Sequence, residues 1–120
     1  MKPLMPLPAS ALPRLLPGED EASARAKAER RKVIEESAIA LGQTWAEGWR
    51  RDLHREGRPA AGGWPGTLRE ARTRVQQALL IEMRGRKMAA ITEGEREIAA
   101  RAAYASARTE WRRHLDPETP

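Results

Sequence analysis

Apolar residues recur along this chain at helical spacing, and nowhere with the strict alternation of a half-buried strand. Ile34, Ala38, Leu41, Trp45 and Trp49 fall three or four residues apart and share one helix face. Leu68, Ala71, Val75, Ala78, Leu79 and Met83 form a second stripe. A third segment offers two inner lines, Ile98–Ala102–Ala105 and Tyr104–Trp111–Leu115.

The residues between these stripes are helix punctuation. Thr67-Leu-Arg-Glu70 and Thr92-Glu-Gly-Glu95 both read as capping boxes. In such a box the threonine hydroxyl takes the amide proton three residues on, and the glutamate reaches back to the threonine amide. Gly57 and Pro59 in Arg55-Glu-Gly-Arg-Pro59 mark a helix end. The pattern predicts an all-α protein, a three-helix antiparallel bundle over about residues 20–116. Its helices would run from Asp20 to Glu56, from just after Thr67 to Arg84–Lys87, and from Glu93 to Leu115. Gly85 is a candidate for the left-handed stop of the second helix, the alternative being a helix that continues to Ala89. Asp116–Pro117 ends the third and leaves residues 117–120 as a tail.

Gly42 and Gly48 interrupt the first helix, each at a cost of about 1 kcal/mol relative to alanine. They imply either a close backbone approach or a break near Gly42–Gly48 that would make four helices. Before Val33 the same helix has only alanine as apolar content. That stretch lacks reason to pack within one subunit, so it projects or meets another chain.

Residues 1–19 form a proline- and leucine-rich arm, with prolines at 3, 6, 8, 13 and 17 that favour extended geometry. Its Leu4, Leu7, Leu12, Leu15 and Leu16 are candidates for docking onto a partner. Trp64, in the loop Arg58–Gly66, reads as a plug folded over the bundle end, or as an exposed aromatic anchor for a partner.

Composition narrows the function. There are 20 large apolar residues between Arg30 and Leu115 and no phenylalanine, so the core is thin and self-association would help it. Cysteine is absent, which removes disulfides and thiolate chemistry. No apolar run approaches the roughly 18 residues of a membrane span, and the prolines interrupt any signal-peptide helix. A cytoplasmic protein without membrane contact is the expectation.

The net charge of +5 is uneven. Residues 59–91 carry six positive against two negative side chains, whereas residues 19–58 balance nine against nine. Arg69, Arg72, Arg74, Arg84, Arg86 and Lys87 are therefore the candidate phosphate contacts of a DNA- or RNA-binding reading. Arg50, Arg51, Arg55 and Arg58 would add a second patch, diluted by Asp52 and Glu56. A GC-rich coding sequence would also explain the 18 arginines against 4 lysines.

Catalysis finds little support. The two histidines, His54 and His114, sit near helix ends; Glu110 with His114 makes two metal ligands where zinc wants three or four. Gly62-Gly-Trp-Pro-Gly66 lacks the lysine and preceding strand of a phosphate loop. No cofactor, metal or small-molecule substrate is expected. The expected function is non-catalytic protein–protein interaction, as an adaptor, an assembly factor or a subunit of a larger complex, including association with its own copy. Nucleic-acid binding through the second helix is the alternative.

Overall fold

The computed structural model describes residues 17–58, 62–113 and 115. Three helices follow in order: α1 (Pro17–Arg55), α2 (Leu68–Gly85) and α3 (Glu93–Arg113). No strand occurs among the described residues, and none of these helices is long and apolar enough to cross a membrane. Two compact units divide the chain, one up to Lys32 and one from Val33 onward.

In the first unit, α1 begins at Pro17, three residues before the expected Asp20. Proline suits a first helical position because the amide it lacks would be unpaired there anyway. From Glu21 to Lys32 every residue is exposed except the intermediate Arg30. Alanine, glutamate, arginine and lysine hold a helix without tertiary packing, and extending an existing helix requires no new nucleus.

The second unit is the bundle. Its buried residues are Val33, Ile34, Ala38, Trp45 and Ala46 of α1; Ala71, Val75, Leu79 and Met83 of α2; and Ala99, Ala100, Ala103, Ala107 and Trp111 of α3. Half of these 14 are alanines, so helix proximity rather than side-chain bulk fills the core. The helices run up, down, up. Early α3 pairs with α2 through Arg72 and Glu97, while late α3 reaches back to Gly62 before α2 begins. α1 and α3 run in the same direction, with Ile39 and Gly42 of α1 against Ala103, Ser106 and Ala107 of α3.

The capping boxes form as the sequence predicts. Thr67 Oγ1 accepts from Glu70 N at 3.0 Å, and Thr67 N donates to Glu70 Oε1 at 2.8 Å. Thr92 and Glu95 repeat the arrangement at 3.1 and 2.9 Å.

α1 continues through Gly42 and Gly48 without a break, so it does not split into two helices. Gly42 is a close-approach residue. A Cβ there would overlap the Ala103 carbonyl oxygen and lie 2.8 Å from Ser106 Cβ and 2.9 Å from Ala107 N. Ser106 Oγ donates to the Ile39 carbonyl at 2.7 Å across the same contact.

This seam also corrects the first of the two inner lines expected of α3, whereas in the second Trp111 is buried and Tyr104 and Leu115 pack against the core. Ile98 is 69% exposed, Ala105 is exposed and Ala102 is only partly buried. Only small side chains fit against the Gly42 backbone. α3 therefore turns Ala103, Ser106 and Ala107 inward and carries Ile98 to the outside.

α1 and α2 stop in the same way, with one difference. After α1, Gly57 N donates to His54 O and Arg58 N to Leu53 O, with Gly57 at φ 74°. After α2, Lys87 N donates to Arg84 O and Met88 N to Met83 O, with Lys87 at φ 58°. Both are Schellman stops. The left-handed residue of the second is Lys87, not the expected Gly85, because α2 runs through Gly85.

Two stability tests follow. A side chain in the left-handed region costs roughly 1–2 kcal/mol. Lys87→Gly should therefore raise the unfolding free energy by about 1 kcal/mol in urea titrations, and Gly57→Ala should lower it by about as much. Gly42→Val should cost about 2 kcal/mol or more by overpacking the α1–α3 seam. A neutral Gly42→Val would mean that the helices do not approach so closely.

Candidate functional site

The loop before α2 closes one end of the bundle with tryptophan. The Trp64 ring stands edge-on to Trp45 at 4.8 Å between centroids and 90° between planes. It meets Trp111 at 5.6 Å and 62°. These edge-to-face arrangements suit the quadrupoles of aromatic rings. Gly66 makes the approach possible, since a Cβ there would lie 2.5 Å from Trp64 Cζ2 and 2.7 Å from Trp45 Cζ2. Trp111 Nε1 donates to Gly62 O at 3.1 Å. The indole N–H groups of Trp45 and Trp64 are buried without a partner among the described residues. Trp64 therefore sits as the plug of the two expected arrangements, with its ring used inside the fold.

Beside the plug, a cleft of about 400 Å³ lies between α1 and the start of α2. Trp45, Trp49 and Leu53 line it together with charged side chains. Those charges already have partners. Asp52 pairs with Arg55 at 3.2 Å, and Glu56 with Arg58 at 2.9 Å. Glu70 serves the capping box, and the Arg74 guanidinium lies 5.0 Å over the Trp45 ring. The cleft offers no unengaged acid–base pair among these groups.

Of the six cations proposed for nucleic acid, three have partners within the fold, although Arg74 and Arg86 are exposed. Arg72 grips Glu97 through Nε at 2.8 Å and Nη2 at 3.2 Å. Arg86 pairs with Glu82 at 2.6 Å, and Arg74 covers Trp45. Arg69, Arg84 and Lys87 are exposed. Arg69 and Arg84 stand about 22 Å apart by helical rise, too far to form one cluster. In the second patch Arg55 and Arg58 are paired, while Arg50 shares a depression with Glu47, Arg51 and His54.

The Arg72–Glu97 pair ties α2 to α3. Glu97 also accepts from Arg101 Nε at 3.1 Å. The Arg72 hydrogen bond is the main cause holding the Glu97 carboxyl below its ordinary range; desolvation opposes it, and the charges of Arg72 and Arg101 add to it. The same bond raises Arg72.

The proposed docking leucines Leu4, Leu7, Leu12, Leu15 and Leu16 lie outside the described residues, as does His114. Among the described residues no three His, Asp or Glu side chains gather in a metal-binding group. Glu110, the one buried charged residue there, sits 3.6 Å from Arg113.

The structure reveals an apolar surface instead. Ile39, Leu80, Ile81 and Ile98 are exposed by 42, 43, 73 and 69%. Ile39 lines a groove of about 380 Å³ between α1 and α3 with Ala102, Ala105, Ser106 and Thr109. Glu110 and Arg113 also line it. Ile98, one turn before Ala102, continues the apolar strip along α3. Periodicity placed this strip inside the bundle, because Ile98, Ala102 and Ala105 have core spacing. The signal that could have found it is Gly42, which demands small residues from whatever helix it meets.

The electrostatic tie has a pH signature. A depressed carboxyl contributes stability above its unfolded value, near 4.5, and loses it as pH falls through the folded value. Arg72 stays charged throughout. The melting-temperature gap between the protein and Glu97→Gln should be full above the ordinary carboxyl value near 4.5 and shrink as pH falls below it. A gap that persists unchanged at low pH would show that the pair does not form. Comparison with protein-family models, with curated proteins and with solved structures found no match.

Proposed function

We propose that this chain is a non-catalytic protein-binding component whose α1–α3 groove takes the apolar surface of a protein partner. The carrying observation is the use of aliphatic bulk. A bundle that fills half its buried core with alanine leaves Ile39 and Ile98 at the surface, Ile39 lining the groove and Ile98 one turn before Ala102 of its lining. Single exposed aliphatics are ordinary, but a strip that combines them with a concave apolar floor is the surface that partners cover.

Other features support the same reading. The exposed first part of α1 supplies a second surface that makes no packed core of its own. The paired charges of the α1–α2 cleft argue against catalysis there. In the nucleic-acid alternative Arg72, Arg74 and Arg86 already have partners within the fold, though Arg74 and Arg86 stay exposed, and it is the weaker reading. An adaptor, an assembly factor or a small subunit would each use the groove in this way.

The test is site-specific photo-crosslinking in cells. A photoreactive residue at position 98 should give discrete protein adducts, whereas one at position 84, among the exposed cations of α2, should give none. Adducts at 84 with none at 98 would overturn the groove reading, and adducts to nucleic acid at 84 would favour the alternative.

A further inference from the structure

We infer that the partner seated on the α1–α3 groove is a second copy of this chain, joined in a two-fold dimer. This inference rests on the protein-binding reading of the groove. The added argument is the charge of its two rims. On α1, Glu35 and Glu36 lie one turn before Ile39, and both are exposed. On α3, Arg101 and Arg108 stand one turn to either side of Ala105, both exposed, with Arg101 leaning on Glu97 at 3.1 Å. By helical spacing, two acids thus stand beside Ile39 on the α1 side and two arginines beside Ala105 on the α3 side, outside the lining itself, whose own charges are Glu110 and Arg113.

That asymmetry makes the face complementary to itself. A two-fold contact uses the same patch on both copies. With the axis parallel to the helices, α1 of each copy lies over α3 of the other. Glu35 and Glu36 then face the arginine rim twice, and the Ile39 and Ile98 strips meet between them. With the axis across the helices, acid meets acid and base meets base, which disfavours that packing. Ala102 and Ala105 keep the floor shallow, so the backbones of two copies can come close. The apolar strip supplies attraction, and the rims select the arrangement.

Analytical ultracentrifugation of the full chain tests this. Across about 5–100 µM it should show a species of about twice the 13.4 kDa chain mass. Ile98→Asp, at a surface position, should keep the helical circular-dichroism signal and weaken association by tenfold or more. Reversing one rim, Glu35→Arg with Glu36→Arg, or the other, Arg101→Glu with Arg108→Glu, should leave each protein monomeric. Mixing the two reversed proteins should restore a dimer, which a purely structural role for these charges would not produce. A monomeric parent chain at the highest concentration, or a mixture that stays monomeric, overturns the inference. If the parent is monomeric while the crosslinker at position 98 still captures a different protein, the groove reading survives and only the second copy is wrong. If neither dimer nor adduct forms, both fail.

Discussion

The contact of α1 with α3 at Gly42 is the constraint on which the rest of this bundle depends. A helix backbone that meets another without an intervening side chain accepts only small residues opposite. Ala103, Ser106 and Ala107 meet that condition, and Ser106 fastens the seam to the Ile39 carbonyl. Once those residues face inward, helical geometry leaves no choice for the others. Ile98 and Ala105 turn away from the core, and the space left to α2 is filled by Val75, Leu79 and Met83. The thin composition of the core is thus a property of the packing. Short interhelical distance substitutes for side-chain volume, at a density that leaves little room for larger groups.

The ends of the helices are held by different means. At one end Trp45, Trp64 and Trp111 interlock, with Trp111 tied to the loop carbonyl of Gly62. Trp64 and Gly66 make the loop before α2 part of the core. The α2–α3 face carries the Arg72–Glu97 fork, a charge-assisted pair suited to guanidinium geometry. These attachments account for much of the charge that looked available for a ligand in the linear sequence. In the basic segment Arg72 makes a helix-to-helix pair, Arg74 a helix-to-ring contact and Arg86 a pair within α2, and all six cations but Arg72 are exposed.

The element types and most boundaries were legible because they are local. Thr67–Glu70 and Thr92–Glu95 carry their own hydrogen-bonding logic, and Gly57 announces its left-handed turn. The face of α2 was legible because its large residues repeat at one spacing. The face of α3 was not, since a segment so rich in alanine has apolar residues on every side and its orientation is set by Gly42, some 60 residues away in sequence. Lys87 was missed for a related reason. A left-handed lysine is unfavourable locally, and the helix passes through the nearby Gly85; the stop comes where Met88 N donates to the carbonyl of buried Met83, with Met88 partly buried against the core. The candidate site followed the same rule. Trp64 was legible as a plug, whereas the groove was hidden inside a pattern that spelled core.

The proposed function follows from the seam: the residues that do not fit against Gly42 form the surface proposed for a partner. The most direct measurement is a filtered methyl NOE experiment on an equal mixture of isotope-labelled and unlabelled chains. The account predicts that the Ile98 and Ile39 methyl groups of labelled copies show NOEs to unlabelled copies, with no contact from Ile98 to Val33, Leu79 or Trp45 of its own chain. Intramolecular NOEs from Ile98 to those core residues would contradict it, because they would place α3 with its isoleucine inward and leave no groove to fill.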